Sequence, residues 1–274
     1  MIKITRNAER KAGAFMDWTW ILTIFAIGFL GSYISGMVGI GGSIINYPML
    51  LFIPPLLGFA AFSPQEVSAI SAVQVFFASM MGMLVHRKGG HLHKLLVLYM
   101  GISIIVGSFL GSFISNLLPS SVINMVYAVL ALIAAIMMFL PKKGSEGQEA
   151  SRVPFNKPVA VILALIIGMV SGIVGAAGAF ITVPVMLVVL RIPTRMAIAS
   201  SLAISFISSI GSMAGKLMGG HMLLIPSIAL VAASLIASPL GAIVSKKINT
   251  KILQWILAGL ITATVIKIWI SILL

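Results

Sequence analysis

Gly36-Met-Val-Gly39-Ile-Gly41-Gly42-Ser43-Ile-Ile-Asn46-Tyr-Pro48 places a cluster of glycines and a proline inside an otherwise apolar part of the chain. Glycine adopts backbone conformations that other residues avoid and lets a ligand come close to the main chain. Proline lacks the N–H that an interior helical position uses. Glycines and proline together are therefore read as interrupting a helix. A second cluster, Gly172-Ile-Val-Gly175-Ala-Ala-Gly178-Ala-Phe-Ile-Thr182-Val-Pro184, follows at a constant offset of 136 residues, and Gly36, Gly39, Gly42 and Pro48 all find counterparts in it.

The correspondence continues further along both halves. Pro64, Ser71, Ser79 and Gly82 match Pro193, Ser200, Ser208 and Gly211, and Gly89-Gly90-His91 matches Gly219-Gly220-His221. A colinear series of this length points to two internal copies of one unit, a common way of building transporters. The expected organisation is a cytoplasmic leader over 1–17, a first transmembrane repeat over 18–140, a polar linker over 141–158 and a second repeat over 159–274. The leader is basic and runs into a full-length apolar segment without a small-residue cleavage site, so it reads as retained.

Hydrophobic residues make up 60% of the 274 residues and charged residues 8%, against about 25% charged in a soluble domain. Such a chain cannot coat a water-soluble globule. At roughly 20 apolar residues per crossing, it has room for eight to ten transmembrane helices and little else. The runs Ser43 to Leu57 and Ala179 to Leu190 reach only about 22 and 18 Å as helices, so each is expected to begin inside the membrane or the protein. The fold class is therefore all-α: a polytopic transmembrane helix bundle of two repeats, each with a broken or short helix. Five crossings per half give an inverted repeat and four a parallel one; the inverted arrangement is preferred, although it places Lys3, Arg6, Arg10 and Lys11 outside. A nine-crossing hybrid treats the halves unequally.

Irregular backbone at membrane depth must be buried in protein or line a watery cavity, so paired breaks mark a substrate site. Helices restarting at Ser43 and Ala179 would aim unpaired N–H groups and a positive dipole end at that site, which suits an anion. Taken singly, each glycine is better explained by close helix packing; the duplicated set with its prolines reverses that preference and favours the site. Asn46 and Thr182 stand at equivalent positions just past the breaks, and Ser71, Gln74, Ser200 and Ser201 can complete a polar lining. A serine or threonine hydroxyl can instead bond back to its own helix, whereas a buried amide such as Gln74 must find a partner.

Five acidic residues exist. Glu9, Asp17, Glu146 and Glu149 lie in the leader or linker, and Glu66 at a helix start reads as a first-turn dipole partner. An interior without carboxylates argues against cation transport. Lys216 and His86 end equivalent helices 130 residues apart, where snorkelling to the interface is the favoured reading. Arg191 and Arg195 read as topology determinants, and Lys267, His91, His93 and His221 show no pattern. The chain has no cysteine, which removes disulfides, thiolate metal sites and cysteine nucleophiles. The net charge of +13 falls in short loops, as positive-inside topology requires, and does not point to nucleic acid. No nucleophile and base pair lies within an apolar run, so an enzyme is not expected.

In Gly36-x-x-Gly39-x-Gly-Gly42-Ser43 followed by Asn46-x-Pro48, in its weaker copy Gly172-x-x-Gly175-x-x-Gly178 followed by Pro184, and in the small-residue stretches near Ser71 and Ser200, the chain resembles the sulfite exporter TauE/SafE family of membrane permeases over nearly its whole length. The resemblance implies movement of small sulfur-containing or organic anions such as sulfite, sulfoacetate or related sulfonates, in a prokaryotic cell (inner) membrane. The resulting expectation is a secondary transporter working by alternating access, with a passive anion channel as the alternative. Its substrate-binding residues are expected to be Gly39, Gly41, Gly42, Ser43, Asn46, Ser71, Gln74, Gly175, Gly178, Thr182, Ser200 and Ser201. No metal or cofactor is expected; the partners are a small anion and the lipid bilayer, with coupling to protons and homo-oligomer formation left open.

Overall fold

A computed structural model describes residues 18–39, 41–87, 92–139, 155–175 and 178–249, together with scattered positions between 251 and 269. The leader, most of the linker and most of the last apolar run lie outside the described residues. The regular elements along these residues are helical: α1 (Trp18–Val38), α2 (Ser43–Leu56), α3 (Pro64–Arg87), α4 (Lys94–Ser115), α5 (Ser120–Phe139), α6 (Lys157–Val174), α7 (Ala179–Val188), α8 (Thr194–Leu217) and α9 (Leu224–Lys247). Seven of these are long and apolar enough to cross a membrane; α2 and α7 are not. The expected all-helical membrane bundle is what forms.

Contacts between helix ends fix the direction of each element. Trp20 at the start of α1 packs its ring 6.0 Å from Phe62, so α2 leads the chain back to the face where α1 began, here called the Trp20 face. Ser68 near the start of α3 donates to Ile173 O near the end of α6 at 3.2 Å, and Asn116 after α4 donates to Gly215 O at 2.9 Å. The ends of α4, α6 and α8 therefore share the Trp20 face. On the opposite face, His93 N donates to Ser200 Oγ at 3.1 Å, the His93 ring meets Phe155 at 5.2 Å, and Lys246 donates to Val85 O at 2.8 Å.

Successive elements thus reverse direction, and α1 and α6 start on opposite faces. The basic residues Arg87, Lys94, Lys157, Arg191, Arg195, Lys246 and Lys247 all belong to the His93 face.

Small residues set the closest packing. Gly107 and Gly111 of α4 lie against Gly168 and Gly172 of α6; a Cβ on Gly168 would stand 3.0 Å from Ser108 N, and one on Gly107 2.8 Å from Met169 N. Gly36 of α1 and Gly241 of α9 meet in the same way, through Ser238 O and Tyr33 O. This is the close approach by which helices associate in lipid, where no hydrophobic drive between them exists. Gly36 and Gly172, quoted first in each cluster, are thus packing residues and not part of the breaks. On the outer side of α4, Leu98, Ile102, Val106, Phe109 and Phe113 are exposed, a stripe at helical spacing that lipid covers.

Helix starts are capped where they meet water. Ser63 and Glu66 form a capping box, with Ser63 N donating to Glu66 Oε2 at 2.7 Å and Glu66 N to Ser63 Oγ at 3.3 Å, so Glu66 has the local role its position suggested. His93, which showed no pattern in the sequence, accepts from Leu96 N at 3.2 Å as the cap of α4.

Candidate functional site

Both helices break at the expected residues. Gly39, Gly41 and Gly42 have φ of 80°, 72° and 79°, and Gly175 and Gly178 have 75° and 71°. A side chain is strained in this left-handed region. Neither α2 nor α7 receives a side-chain cap at its start.

The depth of each restart follows from what lies beneath it. A Cβ on Gly42 would stand 3.1 Å from Gly31 O, and one on Gly178 2.8 Å from Ile167 Cγ2. Gly31 and Ile167 each lie seven residues before the last residue of their helices, about 10 Å at 1.5 Å per residue. α2 and α7 therefore begin well inside the bundle.

The prolines do not make the interruption. Pro48 and Pro184 lie within α2 and α7, and the glycines alone carry the break. Pro48 has no N–H, so Ile44 O, four residues earlier, loses its helical donor. Tyr127 of α5 supplies one, its hydroxyl donating to Ile44 O at 2.6 Å. The Tyr127 ring stacks on Tyr47 at 4.5 Å and lies 6.0 Å from Phe180, the second residue of α7. The first turns of both short helices thus meet around one buried phenol.

The first break gathers the stronger polar group. Asn46 is fully buried, neither atom of its carboxamide has a hydrogen-bond partner among the described residues, and it lies over the bare Cα of Gly31. Gln74 of α3 approaches Gly42: its Nε2 would be 3.0 Å from a Cβ there. Nε2 donates to Ser32 Oγ at 2.7 Å, and Ser32 Oγ lies 2.8 Å from Ser234 Oγ. Because Ser234 spends its proton on Leu230 O at 2.7 Å, Ser32 must donate to Ser234. That chain fixes the amide with Oε1 free, and Oε1 has no partner. Ser71 Oγ, also fully buried, has none either.

The remaining expected residues divide. Ser43 is buried at the start of α2. Ser201 donates to Gly39 O at 2.7 Å and so holds the first break against α8. Ser200 accepts from His93 N and belongs to the His93 face. Thr182 bonds back to Gly178 O at 2.8 Å, the local alternative open to any helical hydroxyl. A Cβ on Gly178 would meet Ile167 Cγ2 and, at 3.0 Å, Ser171 Oγ, so the second break is less polar than the first. Gly175 packs against Ser68, whose carbonyl a Cβ there would strike.

Ser32, Ser68, Ser234 and Tyr127 were not expected at the site. Serine is common wherever membrane helices pack, and Tyr127 is revealed only by the carbonyl that Pro48 orphans. Among the described residues no group of three His, Cys, Asp or Glu could hold a metal.

A cleft of ≈ 530 Å³ opens between α3, α4 and α8 on the His93 face, with Arg87 and Lys94 in its lining and Ala203 and Phe206 further along α8. Phe206 lies 5.0 Å from Phe76 of α3, two residues from Gln74.

A helical bundle with two mid-bundle breaks and buried amide atoms without partners suits a permease, and comparison with known proteins identifies the group. The family model of the sulfite exporter TauE/SafE matches residues 24–268. The chain belongs to the sulfite exporter TauE/SafE family. It is similar to the probable membrane transporter protein YunE of Bacillus subtilis (strain 168), with 22% identity over 85% of this chain and 92% of the relative. A probable membrane transporter protein of Methanocaldococcus jannaschii is 24% identical over 87% of this chain and 91% of its own length. One from Xylella fastidiosa (strain 9a5c) is 27% identical over 66% and 68%. No solved structure matches significantly. This TauE/SafE family member is therefore a multi-pass membrane transporter and not an enzyme.

Proposed function

We propose that this TauE/SafE protein is a secondary transporter that moves small organic or sulfur-containing anions, sulfite among them, by alternating access between two inverted repeats. The observation that carries the reading is the first break. There Gly42, in a left-handed conformation, starts α2 about 10 Å inside the bundle, with Asn46 and Gln74 offering buried amide atoms that have no protein partner. Burying such groups without partners is costly, so their retention points to a guest that completes them.

The chemistry of the guest follows from the donors and acceptors. The N-terminus of α2 and Asn46 Nδ2 supply donors and positive potential for oxyanion oxygens. Gln74 Oε1 and Asn46 Oδ1 accept, which suits an oxyanion that also carries a hydroxyl, as hydrogensulfite does. The one described side-chain carboxylate, Glu66, is used at a helix cap, so no described carboxylate is placed at the first break to favour a cation over an anion. Ser43, Ser71 and Gly41 complete the first half of the site. Gly175, Gly178 and Thr182 shape the second, and Ser201 and Gly39 couple it to α8. Ser200 is a support residue at the His93 face.

Alternating access is favoured over a channel because the two breaks start short helices in both halves of the chain, the arrangement about which paired halves rock. The test is sulfite flux in proteoliposomes with wild type, Asn46→Leu and Gln74→Leu. Loss of at least about tenfold in flux is expected for each variant, the scale of one buried polar contact of 1.4 kcal/mol or more, with membrane abundance retained. Equal flux in all three would remove the site, and single-channel currents would replace the carrier by a channel.

A further inference from the structure

Lys216 is the one lysine or arginine that is buried among the described residues, with 3% of its surface exposed. It stands one residue from the end of α8 yet does not reach outward. Its Nζ donates to Ser115 Oγ at 2.5 Å and to Ile173 O at 3.0 Å, the latter two residues before Gly175 of the second break. An ammonium has three N–H donors and a full charge; the two acceptors that take its hydrogen bonds, Ser115 Oγ and Ile173 O, are both neutral.

Capping the carbonyl end of α6 would account for one of these bonds. It does not account for what else shares the face of α8. Ser201, Ser205, Ser208, Ser212 and Lys216 are spaced by four, three, four and four residues, which places them along a single helical stripe. Ser201 at one end bonds the first break through Gly39 O, and Lys216 at the other bonds the chain just before the second. Between them the hydroxyls of Ser205, Ser208 and Ser212 are fully buried and have no partner among the described residues. A line of buried hydroxyls without partners, ending in an ammonium held by neutral acceptors, is complementary to a small anion.

We infer that Lys216, with Ser212 one turn before it, forms a second anion subsite on the Trp20-face side of the second break, for the same class of small oxyanion. The inference rests on the anion-carrier reading above. In passage, this subsite would receive the anion on one side of the bundle while Asn46 and Gln74 hold it at the first break.

The full chain in proteoliposomes, with sulfite as the probe, tests it. Absence of sulfite flux in the wild type would refute the carrier reading itself. With wild-type flux present, Lys216→Met is expected to raise KM for sulfite about tenfold or more, the scale of one charge-assisted hydrogen bond, and Lys216→Arg to restore most of it. An unchanged KM in Lys216→Met overturns the subsite. A second measurement needs no variant: methanesulfonate, an oxyanion of the same class that does not consume the reagent, is expected to slow acetylation of Lys216 by acetic anhydride in wild-type protein, relative to gluconate at equal ionic strength. A purely structural cap would show equal acetylation in both anions, and that result overturns the inference even where Lys216→Met fails to accumulate.

Discussion

Asn46 holds its carboxamide where it does because Gly31 has no side chain. A Cβ on Gly31 would run into Asn46 Oδ1 and Cγ and stand 2.7 Å from Nδ2. What it would meet is the end of a side chain and not backbone, so the carboxamide can swing aside and the helices can stay. Gly31→Ala is accordingly expected to cut sulfite flux by about tenfold or more, as displacement of one buried polar contact would, with thermal unfolding in detergent little changed. A loss of folded protein in place of flux would mean that Gly31 serves packing. Tyr127→Phe is the converse case: it removes the only donor described for Ile44 O and leaves a buried carbonyl unpaired, at a cost of about 1–3 kcal/mol, read as a lower unfolding midpoint. Of these residues the amides were legible in the sequence, because a carboxamide in an apolar run has to be paired or used. Gly31 and Ser32 were not, since either is ordinary in a membrane helix. Lys216 was misread as a snorkelling side chain, because only tertiary packing shows that α4 and α6 close over the end of α8.

The short helices show which element boundaries a sequence can supply. Their starts at Ser43 and Ala179 were readable from the glycines, whose conformational freedom is local. The part played by the prolines was not, because a proline within a helix is tolerated when another group satisfies the carbonyl it orphans, and Tyr127 comes from 83 residues away. The glycines themselves serve two purposes that spacing does not separate: Gly42 and Gly178 turn the chain, whereas Gly36 and Gly172 admit a neighbouring helix. Gly111→Val separates these roles. Its new side chain would strike Met169 O on α6, a backbone atom that cannot yield, and overpacking of this kind costs about 1–3 kcal/mol. The expected outcome is a reduced unfolding midpoint with an unaltered KM for sulfite in the protein that remains folded. A raised KM at normal stability would instead place the α4–α6 seam in the substrate path.

At the scale of the whole molecule, the alternation of helix directions bears on sidedness. The described loops and helix ends of the His93 face carry Arg87, Lys94, Lys157, Arg191, Arg195, Lys246 and Lys247, and positive residues collect on the cytoplasmic side; the Trp20 face would then be external. The matched series of residues could suggest two copies of one unit but could not orient them, because the answer depends on whether ten or fourteen residues of short helix reverse the chain. With both short helices reversing it, the loop after α2 and the loop after α8 share one face; if neither did, they would lie on opposite sides. The absence of cysteine makes this directly measurable. Ala61, His221 and Asn249 are all exposed, and single cysteines there report the loop after α2, the loop after α8 and the end of α9. A membrane-impermeant maleimide added to intact cells is expected to label Ala61→Cys and His221→Cys, and to label Asn249→Cys only after the membrane is opened. Labelling of Ala61→Cys and His221→Cys from opposite sides would make the two halves parallel. The alternating-access proposal would lose its geometry with that result, since rocking about a shared central site relies on halves that present the same surfaces to opposite faces of the membrane.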